Sequence, residues 1–253
     1  MLVTRPAGQA EALCERVEGA GFAVSRQPLL TIEPLPAPAP AQRRLLRSLD
    51  ACRHCIFISG NAVRFGLPWI RDHWPTWPPA LRCYAVGEGT AASLRAEGLA
   101  VLTPGARMTS EGLLALPTLS DVAGEGVVIV KGEGGRRELA QRLSARGARV
   151  HDLVCYRRGT PAIDPAALRQ QLARDGVRAI LVSSAEALAK LSALLRSRET
   201  HKLPPVTLIV PSARVASAAA DAGWPRVRVA ANAADDAMLA ALERWWSEQG
   251  DRE

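Results

Sequence analysis

The sequence predicts an α/β fold of two similar lobes, each a five-stranded parallel sheet flanked by helices. Three observations lead to this prediction. Short apolar, β-branched segments alternate with Ala/Leu/Arg-rich helical segments, which indicates βαβ units with right-handed crossovers. The order of these segments recurs in the second half of the chain. The length of 253 residues also suits two domains of about 100–150 residues each.

Ten segments are predicted strands because each is short and apolar, as expected of parallel strands buried on both faces. They are Met1–Thr4, Ala23–Arg26, Cys55–Ser59, Arg82–Val86, Ala100–Thr103, Val127–Lys131, Arg149–Asp152, Ala179–Ser183, Thr207–Val210 and Arg226–Ala230. Helical periodicity separates them. Examples are Glu11–Glu18, Ala91–Glu97, Glu138–Ala145, Ala185–Leu195 and Asp236–Trp246.

The internal repeat is the most informative structural signal. One copy begins VTRPAGQAEALCERVEGAGFAV at residue 3 and aligns with IVKGEGGRRELAQRLSARGARV at residue 129, a shift of 126 (129 − 3). The segment IFISGNAV aligns with ILVSSAEA at a shift of 124 (180 − 56). Two further pairs follow in the same order, so a duplication is the better explanation than chance similarity of Ala-rich helices.

Two segments, Leu29–Ala41 and Leu153–Pro161, are predicted to be extended connectors. The first is rich in proline, which disfavours a helix and favours extended geometry. If both segments cross between the lobes, they form a hinge with a cleft. The predicted division is then residues 1–30 plus 162–253 for one lobe, 38–152 for the other, and 31–37 with 153–161 for the connectors. Two sequential halves are the alternative.

Composition narrows the class of protein and its partner. A formal charge of +7 predicts an acidic partner but leaves nucleic acid, phosphate and carboxylate open. Aromatic residues are only 4% of the chain, which argues against nucleic acid. The N-terminal segment does not resemble a signal peptide, and no apolar run approaches the ~18–20 residues of a membrane helix. Five cysteines, an odd number, favour reduced thiols, so we expect a cytoplasmic protein without membrane contact.

The predicted carboxyl ends of the strands are rich in Gly, Ser and Thr, where open parallel sheets bind ligands. Backbone N–H groups and hydroxyls at helix N-termini form anion sites, although helix caps and turns are the alternative interpretation. Arg136, Arg137 and Arg214 are expected in first helical turns, where a bound anion would offset their repulsion by the helix dipole. Lys131 and Arg5 are expected at equivalent positions just after strands. The candidate anion-binding residues are Arg5, Ser59, Gly60, Asn61, Ala62, Gly87, Thr90, Lys131, Gly132, Arg136, Ser183, Ser184, Ser212 and Arg214.

Two other motifs carry weaker signals. Gly87–Ala92 fits the dinucleotide pattern G-x-G-x-x-A, but the next strand ends without a carboxylate for the ribose. An NAD(P)-binding oxidoreductase therefore remains an alternative, as does a non-catalytic two-lobe anion-binding module. Cys52 and Cys55 have C-x-x-C spacing without a second ligand pair, so we predict buried cysteines. We expect no metal and no cofactor.

Tyr156 lies in the second predicted connector, where a cleft is expected, and is followed by Arg157 and Arg158. A connector tyrosine can serve packing alone. Its position nevertheless makes Tyr156 the best single candidate for a polar side chain that faces a substrate.

The ordered motifs together resemble the uroporphyrinogen-III synthase family over nearly the whole chain. They are VTRPAGQAEAL, IFISGNAV, YAVGEGTAASLRAEG, TSEGLLAL, KGEGGRRELAQRLSARGARV followed by VCYRR, SSAEAL and DDAMLAAL. The resemblance implies two α/β lobes joined by a two-stranded connector. It also implies a cyclising hydro-lyase of tetrapyrrole (haem) biosynthesis that uses no cofactor. Such an enzyme closes hydroxymethylbilane to uroporphyrinogen III, with inversion of ring D and loss of water.

The resemblance gives the acidic partner a chemical identity. The substrate is a linear tetrapyrrole octacarboxylate, which a basic cleft lined with N–H donors and hydroxyls would bind. Tyr156 is then the candidate catalytic residue, for proton transfer to the leaving hydroxyl. Ser110, within TSEGLLAL, joins the substrate-binding set, and Ser183 matches a polar cleft position of the family. Arg214 stands where many relatives carry Thr. We also expect the protein to act as a monomer.

Overall fold

The structure is a computed structural model that describes residues 1–105, 108–134, 137–195 and 206–250. The chain forms two compact units: the first comprises Met1–Ile32 with Gly159–Glu253, and the second comprises Glu33–Arg158. Parallel strands flanked by helices build both units, which confirms the predicted α/β class. In the part of the chain that the structure describes, no helix is long and apolar enough to cross a bilayer.

The elements follow one another in the alternating order that the sequence predicts. In chain order they are β1 (Leu2–Val3), α1 (Glu11–Gly19), β2 (Ser25–Arg26), β3 (Thr31–Pro34), α2 (Pro40–Arg47), β4 (His54–Phe57), α3 (Gly60–His73), β5 (Arg82–Ala85), α4 (Glu88–Ala96), β6 (Val101–Leu102), α5 (Ser110–Leu114), β7 (Gly126–Gly132), α6 (Glu138–Ala145), β8 (Arg149–Gly159), α7 (Pro165–Arg174), β9 (Ala179–Leu181), α8 (Ala185–Leu195), β10 (Thr207–Val210), α9 (Ala213–Asp221), β11 (Val227–Val229) and α10 (Asp235–Gly250). Short 3₁₀ turns cover Leu49–Ala51 and Pro117–Leu119.

The first unit has a five-stranded sheet in the order β11-β10-β9-β1-β2, and its neighbouring strands are parallel. Successive strand residues point to opposite faces, so the sheet has a core on each side. Leu2 packs with Leu208 and the α8 residue Leu191 on one face. Val3 packs on the other face, in the cluster that includes residues of α1 and α10. The carboxyl ends of β1, β9 and β10 therefore lie side by side.

The second unit has six strands, in the order β3-β8-β7-β4-β5-β6, so the prediction of five strands is wrong for this unit. The added strand, β3, lies in the segment predicted to be a connector. It is an edge strand, a position in which a proline such as Pro34 is tolerated. Beyond it the Leu35 N–H donates to the Cys155 carbonyl at 3.0 Å. Strand β8 correspondingly continues to Gly159, through the second predicted connector.

Three local predictions also need correction. The extended segment that was predicted to reach Ala41 ends earlier, because Pro40 opens α2 at a position where proline needs no N–H partner. Lys131 lies inside β7 and not after it, because β7 continues to Gly132. Arg137 precedes α6, which begins at Glu138. Arg214 does lie in the first turn of its helix, α9.

The cysteines are free and buried, as predicted for Cys52 and Cys55. Burial raises the pKa of the Cys83 thiol to about 12, and burial likewise raises the pKa of Cys155 to about 12. Such thiols stay protonated and unreactive at neutral pH. Among the described residues, no group of three or more His, Cys, Asp or Glu could hold a metal ion.

The buried His54 has partners for both ring nitrogens. Its Nδ1 lies 3.0 Å from the Tyr84 hydroxyl, and its Nε2 lies 2.6 Å from the Glu125 carboxylate. His54 and Tyr84 belong to β4 and β5, and His54 stands at the start of β4, away from the carboxyl ends of the strands.

Candidate functional site

In the second unit, most candidate residues lie at one edge of the sheet, which we call the second-unit carboxyl edge. It consists of the residues that end or follow five neighbouring strands, β6, β5, β4, β7 and β8. Most candidates are there because their loop or helix begins where a parallel strand ends, while Lys131, Gly132 and Tyr156 lie within the last residues of β7 and in β8. The candidates at this edge are Ser59, Gly60, Asn61, Ala62, Gly87, Thr90, Ser110, Lys131, Gly132 and Tyr156.

A β-bulge fixes Tyr156 at this edge. Strands β7 and β8 pair regularly until Lys131 lies opposite Val154; one residue of β8 is then skipped, and Gly132 lies opposite Tyr156. Bulges commonly re-aim a side chain beside a functional site. Here the bulge is followed by a hydrogen bond from the Glu133 N–H to the Tyr156 carbonyl, at 2.8 Å.

The tyrosine ring lies directly over Gly132. A Cβ added to Gly132 would stand 2.5 Å from Cε2 and 2.6 Å from Cζ of that ring, closer than real Cβ atoms approach. Phe65 packs on the same ring, with centroids 6.1 Å apart. Tyr156 is only 3% exposed as a result. Glycine at position 132 is thus required by the close approach of the aromatic ring.

The Tyr156 hydroxyl contacts Ser59 at the beginning of α3. The two oxygens, Ser59 Oγ and Tyr156 OH, are 3.1 Å apart. Ser59 is the N-cap of this helix, because its Oγ accepts a hydrogen bond from the Ala62 N–H at 3.1 Å. The phenol oxygen therefore lies at the positive end of the helix dipole, a favourable place for negative charge.

Tyr156, but not Ser59, lines a cavity of about 190 Å³. The volume is below the roughly 300–1,000 Å³ of typical ligand sites, so it suits one arm of a larger ligand. Its apolar wall comes from strand and helix residues such as Ile58, Val86 and Leu139. Its polar lining is formed by Ser110, Lys131, Glu138, Tyr156 and Arg158.

Lys131 brings a nearly enclosed positive charge to the cavity. Its side chain is 9% exposed, and its Nζ lies 3.3 Å from Oδ2 of Asp152, whose side chain is 42% exposed. A buried ammonium without a counter-ion would be costly, so Asp152 balances the charge of Lys131. A ligand carboxylate could take over that role.

The remaining candidates at this edge belong to helix starts. Gly60 and Asn61 lie in the first turn of α3, next to the capping Ser59. Gly87 is the N-cap of α4, while Thr90 is buried within that helix and does not line the cavity. In the structure, Thr90 thus packs inside the unit.

In the first unit, Arg5 is engaged by its own chain. Its guanidinium pairs with the Asp235 carboxylate and donates to the Ala233 carbonyl at 2.7 Å, at the beginning of α10. The pair is mostly enclosed, with side chains 14% and 24% exposed. Arg5 and Lys131 are therefore similar in one respect: each cation lies near the carboxyl end of a strand and is balanced by an aspartate.

The other first-unit candidates stand at the ends of β9 and β10. Ser184 Oγ accepts the Ala187 N–H at 3.1 Å, and Ser212 Oγ accepts the Val215 N–H at 3.4 Å, so both serines cap helices. Ser183 is half-buried beside Ser184, and Arg214 is exposed in the first turn of α9.

Not every candidate can be placed, and the sequence missed some residues. Arg136 lies outside the described residues. Arg158 and Glu138 line the cavity but were not among the candidates. Arg158 could have been found, because it stands two residues after Tyr156 on the same strand and so on the same face. Nothing in the sequence around Glu138 indicated that its side chain would line the cavity.

Comparisons with known proteins agree with the motifs. The family profile described as uroporphyrinogen-III synthase HemD matches residues 11–240. Uroporphyrinogen-III synthase of Salmonella typhimurium is 35% identical over 247 residues, covering 96% of this chain and 99% of that protein. The Escherichia coli K12 enzyme of the same name is 36% identical over 248 residues, again covering 96% and 99%.

Solved structures support the fold. A mutant uroporphyrinogen III synthase from the extreme thermophile Thermus thermophilus superposes with a TM-score of 0.66 at 21% identity, covering 98% of each chain. The synthetase from Helicobacter pylori 26695 gives a TM-score of 0.57 at 16% identity, over 88% of this chain and 93% of the other. The profile match and the two relatives favour the predicted family over the NAD(P)-dependent and non-catalytic alternatives. The profile match and the two relatives together establish that the chain belongs to the uroporphyrinogen-III synthase family.

Proposed function

We propose that the chain closes hydroxymethylbilane to uroporphyrinogen III, with inversion of ring D and loss of water, and that the second-unit carboxyl edge takes part in this reaction. Family membership supports the activity and its place in haem biosynthesis. One observation carries the assignment of the site: a phenol, Tyr156, is fixed at a helix N-terminus beside a cavity that also holds a buried cation, Lys131.

Substrate binding would rest on charge and on hydrogen-bond donors. The substrate is an octacarboxylate, and the cavity is large enough for one carboxylate arm with part of its pyrrole. Lys131 and Arg158 supply positive charge to that arm, and Ser110 supplies a hydroxyl. The first-unit candidates Arg5, Ser183, Ser184, Ser212 and Arg214 remain predicted substrate-binding residues, as do Gly60, Asn61, Ala62, Gly87, Thr90 and Arg136.

Tyr156 would act as the proton donor. Its O–H protonates the leaving hydroxyl of the bilane, the C–O bond breaks, and water departs to leave an azafulvene-type electrophile. The substituted α-carbon of ring D attacks this centre to form a spiro intermediate, which fragments and recloses at the other α-carbon. That carbon then loses its hydrogen as a proton, which makes ring D aromatic again. The Tyr156 phenolate takes up the proton and becomes a phenol again, so the net change is the loss of one water. The chain mainly has to hold the bilane folded, so positioning dominates the catalysis.

The deciding experiment uses freshly generated hydroxymethylbilane with and without the protein. Without an enzyme the bilane closes spontaneously to the type I isomer. We expect predominantly type III product, at a rate proportional to protein concentration. Formation of the type I isomer alone would reject the proposed activity and would leave a binding module as the explanation.

We propose that the protein acts as a cytoplasmic monomer without a cofactor or nucleic-acid partner. The free, buried cysteines support a reducing compartment. Light scattering of the purified protein measures the oligomeric state, and activity after extensive dialysis tests the need for a cofactor.

A further inference from the structure

We infer that Ser59 is a positioning residue for Tyr156: its hydroxyl donates a hydrogen bond to the phenol oxygen, so that the phenol's own proton is directed to the substrate. This inference rests on the proposed function, in which Tyr156 is the proton donor. In this role Ser59, which the sequence predicts to bind the substrate directly, acts instead through Tyr156.

The contact geometry defines what Ser59 can do. A serine hydroxyl has one proton and two lone pairs. One lone pair of Ser59 Oγ accepts the Ala62 N–H at 3.1 Å, which fixes the oxygen at the start of α3. The Tyr156 oxygen lies at the same distance, 3.1 Å, from Ser59 Oγ. Either oxygen could donate in this pair, so the direction of the hydrogen bond is the question that matters for the chemistry.

Two arrangements have different consequences. If Tyr156 donated to Ser59, the phenol proton would be held inside the protein and would have to break that bond before it could reach a substrate. If Ser59 donates, the proton stays available. After proton transfer the phenolate can only accept, so Ser59 must then donate. An arrangement that already suits the charged product requires no reorganisation during the reaction, which is how preorganised donors lower a barrier.

The surroundings of the pair favour the arrangement in which Ser59 donates to Tyr156. Ser59 stands at the N-terminus of a helix that extends over Gly60–His73, whose dipole favours an electron-rich oxygen at that end. Tyr156 is 3% exposed and is confined between Gly132 and Phe65, so the phenol oxygen cannot swing away from Ser59. The positions of the two hydroxyl protons therefore decide which oxygen of the pair donates.

The first test compares turnover in three variants. Ser59→Ala removes the hydroxyl and should lower kcat by about tenfold or more, with KM within about twofold of wild type. Ser59→Thr keeps both the hydroxyl and a helix cap, and should return kcat to within about threefold. Asp164→Ala is the matched control, because Asp164 caps α7 in the first unit by accepting two N–H bonds. Its kcat should not change. An equal loss of kcat in Asp164→Ala would assign the effect to helix capping and overturn the inference.

A double mutant tests whether Ser59 acts through Tyr156. In a Tyr156→Phe background the phenol oxygen is absent, so adding Ser59→Ala should cause no further loss of kcat. A full additional tenfold loss would show that Ser59 acts by another route and would overturn the inference.

A spectroscopic measurement keeps the inference separate from the proposed function. The chain has two tyrosines, so protein labelled with ¹³C at the tyrosine Cζ gives two signals, and Tyr156→Phe assigns them. Ser59→Ala should shift the Tyr156 signal and leave the Tyr84 signal unchanged. Ser59→Thr should return the Tyr156 signal to its wild-type position. An unchanged Tyr156 signal in Ser59→Ala would overturn the inference even if the enzyme is active. Failure of the wild type to form type III product, with the shift present, would instead reject the proposed function alone.

Discussion

Gly132→Ala should damage the site through one methyl group. The new Cβ would lie 2.5, 2.6 and 3.0 Å from Cε2, Cζ and Cδ2 of Tyr156. Carbon atoms in contact prefer about 3.5–4.0 Å, so the ring has to retreat by roughly 1 Å. The ring is buried against Phe65 and has little room to do so. We therefore expect both strain in the fold and displacement of the phenol oxygen.

The expected magnitudes follow from these distances. Overpacking of this kind costs about 1–3 kcal/mol, which for a chain of this size lowers Tm by roughly 2–12 °C. A displacement of about 1 Å at a reacting group can cost on the order of 100-fold in rate. We thus expect kcat for type III product to fall by about 100-fold, with a smaller change in KM.

The assay measures initial rates of uroporphyrinogen III formation together with thermal unfolding. Gly19→Ala is the matched control, since no atom lies within 4 Å of its added Cβ and Gly19 is the last residue of α1. That variant should retain wild-type kcat and an equal or higher Tm, because alanine favours helices. A Gly132→Ala protein with wild-type kcat would refute the view that the ring position controls turnover.

Three further predictions concern the phenol, the buried cation and the thiols. Tyr156→Phe should lower kcat several-fold or more while Tm stays near wild type, and normal rates of type III formation would remove Tyr156 from the mechanism. Lys131→Ala should raise KM for the bilane. Asp152→Asn should lower KM, because it removes the carboxylate that competes with the substrate for Lys131. An unchanged KM in both variants would mean that no substrate carboxylate binds at Lys131. The free energy of unfolding should fall as pH rises from about 9 towards 12, because the thiols of Cys83 and Cys155 ionise in the unfolded chain but stay protonated when buried. Urea titrations at each pH measure this, and Cys83→Ala should reduce the slope.

The elements of the fold that depend on local pattern could be predicted from the sequence. The predicted helices Glu138–Ala145 and Ala185–Leu195 have the observed bounds, since apolar periodicity and flanking turn residues define them. The segment of β3 was predicted to be an extended connector, and the resemblance implied a two-stranded one, but its place as an edge strand of the second sheet was not predicted. The pairing of β3 with β8 joins residues far apart in the chain, and the residue types of Thr31–Pro34 alone do not indicate that partner. Prolines nearby suggested a connector, although an edge strand tolerates them.

The candidate site shows the same limit at the level of side chains. Ser59, Gly132 and Tyr156 were each singled out, but for separate reasons. The hydrogen bond between Ser59 and Tyr156 spans 97 positions of sequence, and the need for glycine at 132 arises only from the ring that lies over it. The pairing of Lys131 with Asp152 likewise follows from strand register, which the sequence does not specify. Residue types at strand ends are thus predictable, and their mutual contacts are not.

The burial of every cysteine makes the chain a ready background for site-specific labelling. None of the native thiols should compete with a maleimide reagent under folded, neutral conditions, since all five are buried. A cysteine introduced at exposed Ser93 in the second unit and another at exposed Ser217 in the first would then carry a fluorophore pair without prior removal of native residues. Energy transfer between the two labels would report, in real time, whether the units move when the bilane binds and when the product leaves.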